Sequence, residues 1–182
     1  MKKFTLIICF FVALAFIMTA CSDKANLTSS PILWKDIKSG MSFDEVKAMY
    51  PTAELVKEAD DTNKVEVLLF DGVIIQKENF LVQFVFEDKK IIGVSLYPKN
   101  EFKGNIADEL FDNLEEELSQ KYGSPVEENS DRINLLYDFK RFVWNTQGVI
   151  IELYYKRARF STDISTLYVY YLAGTIEKED NL

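Results

Sequence analysis

Six runs rich in β-branched and aromatic residues, each bounded by turn-forming residues, constrain the fold of this chain more than any other feature. They are Val65 to Ile75, Phe80 to Phe86, Ile91 to Tyr97, Asn134 to Trp144, Val149 to Arg157 and Ser165 to Leu172. Gly72 reads as a bend within the first, Asp88-Lys89 as the tight turn between the second and third, and Asn145 to Gly148 as the turn between the fourth and fifth.

A helix is expected ahead of each group of three. Ser42-Phe43-Asp44-Glu45 carries a capping box, in which Ser42 accepts from the Glu45 amide while Glu45 reaches back. Val46, Met49 and Tyr50 give this helix an apolar edge, and Pro51 ends it. In the second, Ile106, Leu110, Phe111, Leu114, Leu118 and Tyr122 recur at spacings of three and four, with acids mostly on the other side. Asn105 fits an N-cap, Gly123 a left-handed C-terminal residue, and Pro125 stops continuation. The expected class is therefore α+β, with two repeats of one helix plus a three-stranded antiparallel sheet, at 32–100 and 101–175. Each repeat holds roughly 65 to 70 residues, a size at which a lone core is marginal, so the two should share an interface.

Alternation along the last strands sorts their side chains. Val149, Ile151, Leu153 and Tyr155 fall on one face with Leu167, Val169 and Tyr171 and make the better core. Ile150, Glu152, Tyr154 and Lys156 fall on the other with Tyr168 and Tyr170. Tyrosine beside charge is enriched at protein interfaces. Tyr154, Tyr168, Tyr170, Trp144 and Lys156 are accordingly the candidate binding residues, against the plainer possibility that the tyrosines pack under a helix or pair across strands. A basic group, Lys140, Arg141, Lys156, Arg157 and Arg159, could meet lipid head groups or an acidic partner, or simply solvate hairpin ends.

The first twenty residues read as a leader: Lys2 and Lys3 precede a mostly apolar, uncharged run from Phe4 to Ala20. The competing reading is an uncleaved N-terminal anchor. Met18-Thr19-Ala20-Cys21 resembles the lipobox of bacterial lipoproteins, which implies a diacylglycerol thioether on Cys21, cleavage before it, and usually acylation of the new N-terminus. Several chains on one residue suit stable anchoring at a membrane, the first partner this chain is expected to have. Ser22 stands where an aspartate is the usual inner-membrane retention signal, so a source with two membranes would place the protein on the outer one, facing the periplasm. Residues 21–31 read as a flexible tether and 176–182 as a polar tail.

Composition removes several function classes. The whole chain carries a formal charge of −8, and loss of Lys2 and Lys3 makes the remainder more acidic still. Phosphate backbones need a basic surface, so no nucleic acid is expected. Histidine is absent, and the second cysteine, Cys9, lies in the leader. The mature part then lacks both the usual general base and any Cys/His zinc set, and no disulfide can form within it. The runs Glu115-Glu116-Glu117 and Asp60-Asp61 lack EF-hand spacing and read as solvated faces. No cofactor is expected.

Trp34 to Val46, with Gly40-Met41-Ser42 opening the helix, is similar to the start of SmpA/OmlA-type lipoproteins and to β-lactamase inhibitory protein, in which a helix-plus-sheet unit is duplicated. Tyr122-Gly123-Ser124-Pro125 keeps the helix-ending part of that pattern in the second half. The resemblance implies a non-enzymatic, protein-binding scaffold of the cell envelope, with another envelope protein as partner. The alternative is an inhibitor or small-ligand-binding protein using a concave face between the repeats.

Overall fold

The computed structural model describes residues 30–58, 64–102, 104–134, 137–158 and 165–174, with the backbone alone for 104 and 131–134. Cys21 and the leader, Asp60-Asp61, Arg159 and the tail lie outside the described residues.

The elements in chain order are β1 (Ile32–Trp34), β2 (Ile37–Lys38), α1 (Phe43–Met49), β3 (Glu54–Lys57), β4 (Val65–Ile75), β5 (Glu78–Glu87), β6 (Lys90–Pro98), α2 (Gly104–Tyr122), β7 (Glu127–Asn134), β8 (Tyr137–Thr146), β9 (Val149–Ala158) and β10 (Ser165–Ala173). Strands β3 to β10 form one eight-stranded sheet in the order β3-β4-β5-β6-β10-β9-β8-β7, antiparallel throughout, beside the small β1-β2 pair.

This overturns the expectation of two helix-plus-three-strand repeats: the described chain is mostly β, in a single continuous sheet. Two physical facts account for the difference. Glu54–Lys57 and Glu127–Asn134 are edge strands whose sequences, ELVK and EENSDRIN, lack an alternating apolar pattern. Backbone hydrogen bonds to one neighbour hold them, and charge on an exposed edge is a normal guard against further pairing. The last strand of each half also pairs with its counterpart, Val169 opposite Leu96 and Tyr171 opposite Val94, so neither half owns a separate sheet.

Local signals set most boundaries. Ser42 caps α1 with both halves of the capping box present, and the Tyr50 amide closes the helix on Val46. Gly72, at φ 129°, sits in a bulge between Asp71 and Val73, and Asp88 and Lys89 turn with φ 47° and 63°. Asn105 falls inside the first turn of α2 instead of capping it, and Asn134 belongs to β7, not to the following strand. The β8-β9 turn contracts to Gln147 and Gly148, both at positive φ.

The core lies on one face of the sheet. Phe80, Val82, Phe84 and Phe86 from β5, Val94 and Leu96 from β6, Ile151 and Leu153 from β9, and Val169 and Leu167 from β10 are buried there. Ala107, Leu110, Phe111, Leu114 and Leu118 of α2 join the same cluster, with Phe111 against Phe142 and Tyr155 at 5.6 and 5.5 Å between ring centres. Full burial of a Leu or Phe side chain is worth about 1.5–3 kcal/mol, so this stripe outweighs the acids on the other side of the helix. Val46 of α1 and Trp34 of β1 close the core over β5, where Tyr50 packs 4.8 Å from Phe84. The helices leave the second face of the sheet without a covering element among the described residues.

Candidate functional site

Because side chains alternate across a strand, register decides what that second face presents. Gln83 lies opposite Ser95, Ser95 opposite Tyr170, and Tyr170 opposite Glu152, which draws one polar row across β5, β6, β10 and β9. Beside it Tyr168 pairs with Tyr154, their rings stacked at 4.8 Å and 13°, and Phe139 of β8 stacks on Tyr154 at 6.3 Å. Three rings from three strands thus make an aromatic band. A recess of about 600 Å³ opens beside it, lined by Gln83, Ser95, Tyr97, Glu152, Thr166, Leu167, Tyr168 and Tyr170. It straddles the β6-β10 seam, where the two halves of the chain meet.

Gly93 makes room for one wall. A β-carbon there would stand 3.1 Å from the Tyr170 hydroxyl and 3.2 Å from the Tyr171 carbonyl oxygen. Glycine inside a strand commonly marks such close approach, and here it lets the Tyr170 ring lie across β6.

Glu152 is the electrostatic centre. One carboxylate oxygen accepts from the Tyr168 hydroxyl at 3.0 Å, and the other from Arg141 Nε at 2.8 Å. Arg141 also donates to Glu127 at 2.9 Å, so one guanidinium bridges two carboxylates across β7, β8 and β9. Burial raises the Tyr168 and Tyr170 phenol pKa values, and the charge of Glu152 raises them further. Burial likewise raises that of Tyr97, against a hydrogen bond with Gln83. These phenols stay protonated around neutral pH and act as donors. The recess therefore offers aromatic planes, hydroxyl and amide groups, and a carboxylate already engaged by a cation and a phenol.

The five candidate residues separate. Tyr154, Tyr168 and Tyr170 come together on the open face, paired across strands and not under a helix. Lys156 lies at its margin with Nζ 4.2 Å from the Tyr137 ring centre. Trp144 does not belong with them: it lies opposite Ile151 on the helix-covered side, is 1 % exposed, and donates its indole N–H to the Gly123 carbonyl. Register is the reason, since Phe142 and Trp144 point with Leu153 and Ile151, whereas Arg141 points with Tyr154.

The basic group is not one patch. Lys140 pairs with Asp112 and Arg157 with Asp108 on α2, while Arg141 serves the open face. Of the acidic run, Glu115 accepts from Ser119, Glu116 from Gln120 and Glu117 from Gln76. Among the described residues no group of three or more potential metal ligands occurs, and no helix is long and apolar enough to cross a membrane. Tyr97, Gln83 and Gly93 were not among the sequence candidates; the alternation of β5, with Gln83 between apolar residues, is the signal that could have found the second. No protein-family model, curated protein or solved structure matches this chain.

Proposed function

We propose that this chain is a lipid-anchored, non-enzymatic binding protein of the cell envelope that holds another envelope protein on the uncovered face of its sheet. One observation carries this reading: the face without helices is faced with the Phe139-Tyr154-Tyr168 band around the Glu152–Arg141 pair. Rigid aromatic area with a few fixed polar groups is the composition of interface hot spots. Lipid attachment at Cys21 rests on the lipobox-like Met18-Thr19-Ala20-Cys21. The likeness of Trp34 to Val46 to SmpA/OmlA-type lipoproteins points the same way.

Photo-crosslinking in intact cells is the test. A photoreactive residue at position 97 or 154 should trap a discrete partner, and one at position 116, on the outer side of α2, should not. Equal trapping from all three, or none from the sheet, would discard the reading. Tyr154→Ala with Tyr168→Ala should abolish the adduct while keeping a cooperative thermal transition. Labelled palmitate should be incorporated by the native chain and not by Cys21→Ser.

The seam recess supports a second reading, a small-ligand-binding protein, because its volume lies within the roughly 300–1,000 Å³ of small-molecule sites. A ligand that co-purifies and is lost in Tyr170→Ala, with no protein adduct from positions 97 and 154, would favour it.

A further inference from the structure

A second cavity lies on the helix-covered side, between the β1-β2 pair and the C-terminal end of α2, with a volume of about 480 Å³. Leu33, Val149 and Ile151, each nearly fully buried, form apolar walls. Lys35 and Lys121 line the same space, their ammonium groups 4.4 Å and 4.9 Å from the ring centres of Trp34 and Tyr122. Neither lysine pairs with a carboxylate among the described residues, although the chain is acidic overall and Lys64, Lys89, Lys99, Lys140, Arg141 and Arg157 all do. Tyr171 also lines the cavity, is 9 % exposed, and makes no side-chain hydrogen bond among the described residues.

The phenol of Tyr171 has no protein partner yet is not sealed from solvent, since Glu66 Oε2 is the one fully buried side-chain oxygen without a partner among the described residues, so this phenol stands open to whatever enters the cavity. Burial, with the charges of Tyr122 and Glu117, raises its pKa, so its hydroxyl is available as a donor. Glu117 itself accepts from the Gln76 amide. Two cations and one unpaired hydroxyl donor favour an anion, with Thr146 and Gln147 as further polar lining, and the apolar walls favour one with a hydrophobic body.

We propose that this cavity binds a small organic acid, with its carboxylate held by Lys35, Lys121 and the Tyr171 hydroxyl and its apolar body against Leu33, Val149 and Ile151. The site is separate from the open sheet face and does not rest on the function assigned to it.

Calorimetric titration of the full chain in nanodiscs tests this, with 3-phenylpropionate as probe, 3-phenylpropanol as its neutral counterpart and inorganic phosphate as the bare anion. Partition into lipid is common to native and variant discs and cancels in the comparison. Phenylpropionate should bind saturably, about tenfold or more weaker in Lys35→Gln/Lys121→Gln, where charge-assisted bonds are lost, and about fivefold weaker in Tyr171→Phe, where one hydrogen bond is lost. Both variants should keep the native thermal transition, and Tyr171→Phe, which retains the ring, keeps the test open if the double variant does not fold. No saturable phenylpropionate binding, equal binding of the alcohol, or an affinity unchanged in Tyr171→Phe would overturn the proposal. Phosphate binding tighter than the acid would overturn the role of the apolar walls.

Discussion

Tyr154 and Tyr155 are neighbours in sequence and opposites in duty. Tyr155 is 2 % exposed, packs on Phe111 and donates its hydroxyl to Asp108 of α2 at 2.8 Å. Tyr154 stacks on Tyr168 on the side the helices do not cover. The same contrast separates Tyr171 from Tyr170 on the next strand, one facing the core and the other lying over Gly93. Where a tyrosine goes in this sheet is decided by parity and by which face receives the helices, so residue type alone cannot tell a core ring from one on the open face.

The strongest way to break that comparison is to truncate one ring on each side. Trp144→Ala removes a fully buried indole and its bond to Gly123 and should cost about 3–5 kcal/mol in chemical denaturation, against about 1 kcal/mol or less for Tyr154→Ala. Comparable losses would mean that the two faces are not energetically distinct.

Intermediate effects come from the open face itself. Gly93→Ala forces the Tyr170 ring and the Tyr171 backbone to give way and should destabilise by about 1–3 kcal/mol, with Tyr170 displaced in NMR spectra of the aromatic region. Glu152→Ala leaves the Tyr168 hydroxyl without its acceptor and Arg141 with Glu127 alone, a loss of about 1–3 kcal/mol; double-mutant cycles with Arg141→Ala should show coupling between the two.

Tyr168→Phe removes one hydrogen bond and should cost about 1 kcal/mol near neutral pH. Its pH dependence sharpens the point. A phenol whose pKa is higher in the folded chain holds its proton more tightly there, so its contribution is intact below the ordinary value of 10.0 and falls as pH rises above it. Melting temperature measured through that alkaline range should drop more steeply in the native chain than in Tyr168→Phe. Parallel curves would remove Tyr168 as the cause.

Much of the local structure was legible. The capping box at Ser42, the turn at Asp88-Lys89, the bend at Gly72 and the split of β9 and β10 into two faces all follow from short-range stereochemistry. The polar edge strands were not legible, because hydrogen bonds between backbones hold them and those leave no periodic trace in ELVK or EENSDRIN. The placing of Trp144 failed for a related reason: its side follows from the pairing of Trp144 with Ile151, a property of two strands together.

The sequence by itself determined which residues alternate, where the chain turns and where the two described helices run, since each depends on neighbours a few positions away. Only the tertiary structure decided that β6 pairs with β10, that the halves therefore share one sheet, and that Gln83, Ser95, Tyr170 and Glu152 meet in a row. It also brought Lys35, Lys121 and Tyr171 around one cavity. Contacts between distant segments depend on which packing buries the most apolar surface while pairing every strand, and that choice belongs to the whole chain at once.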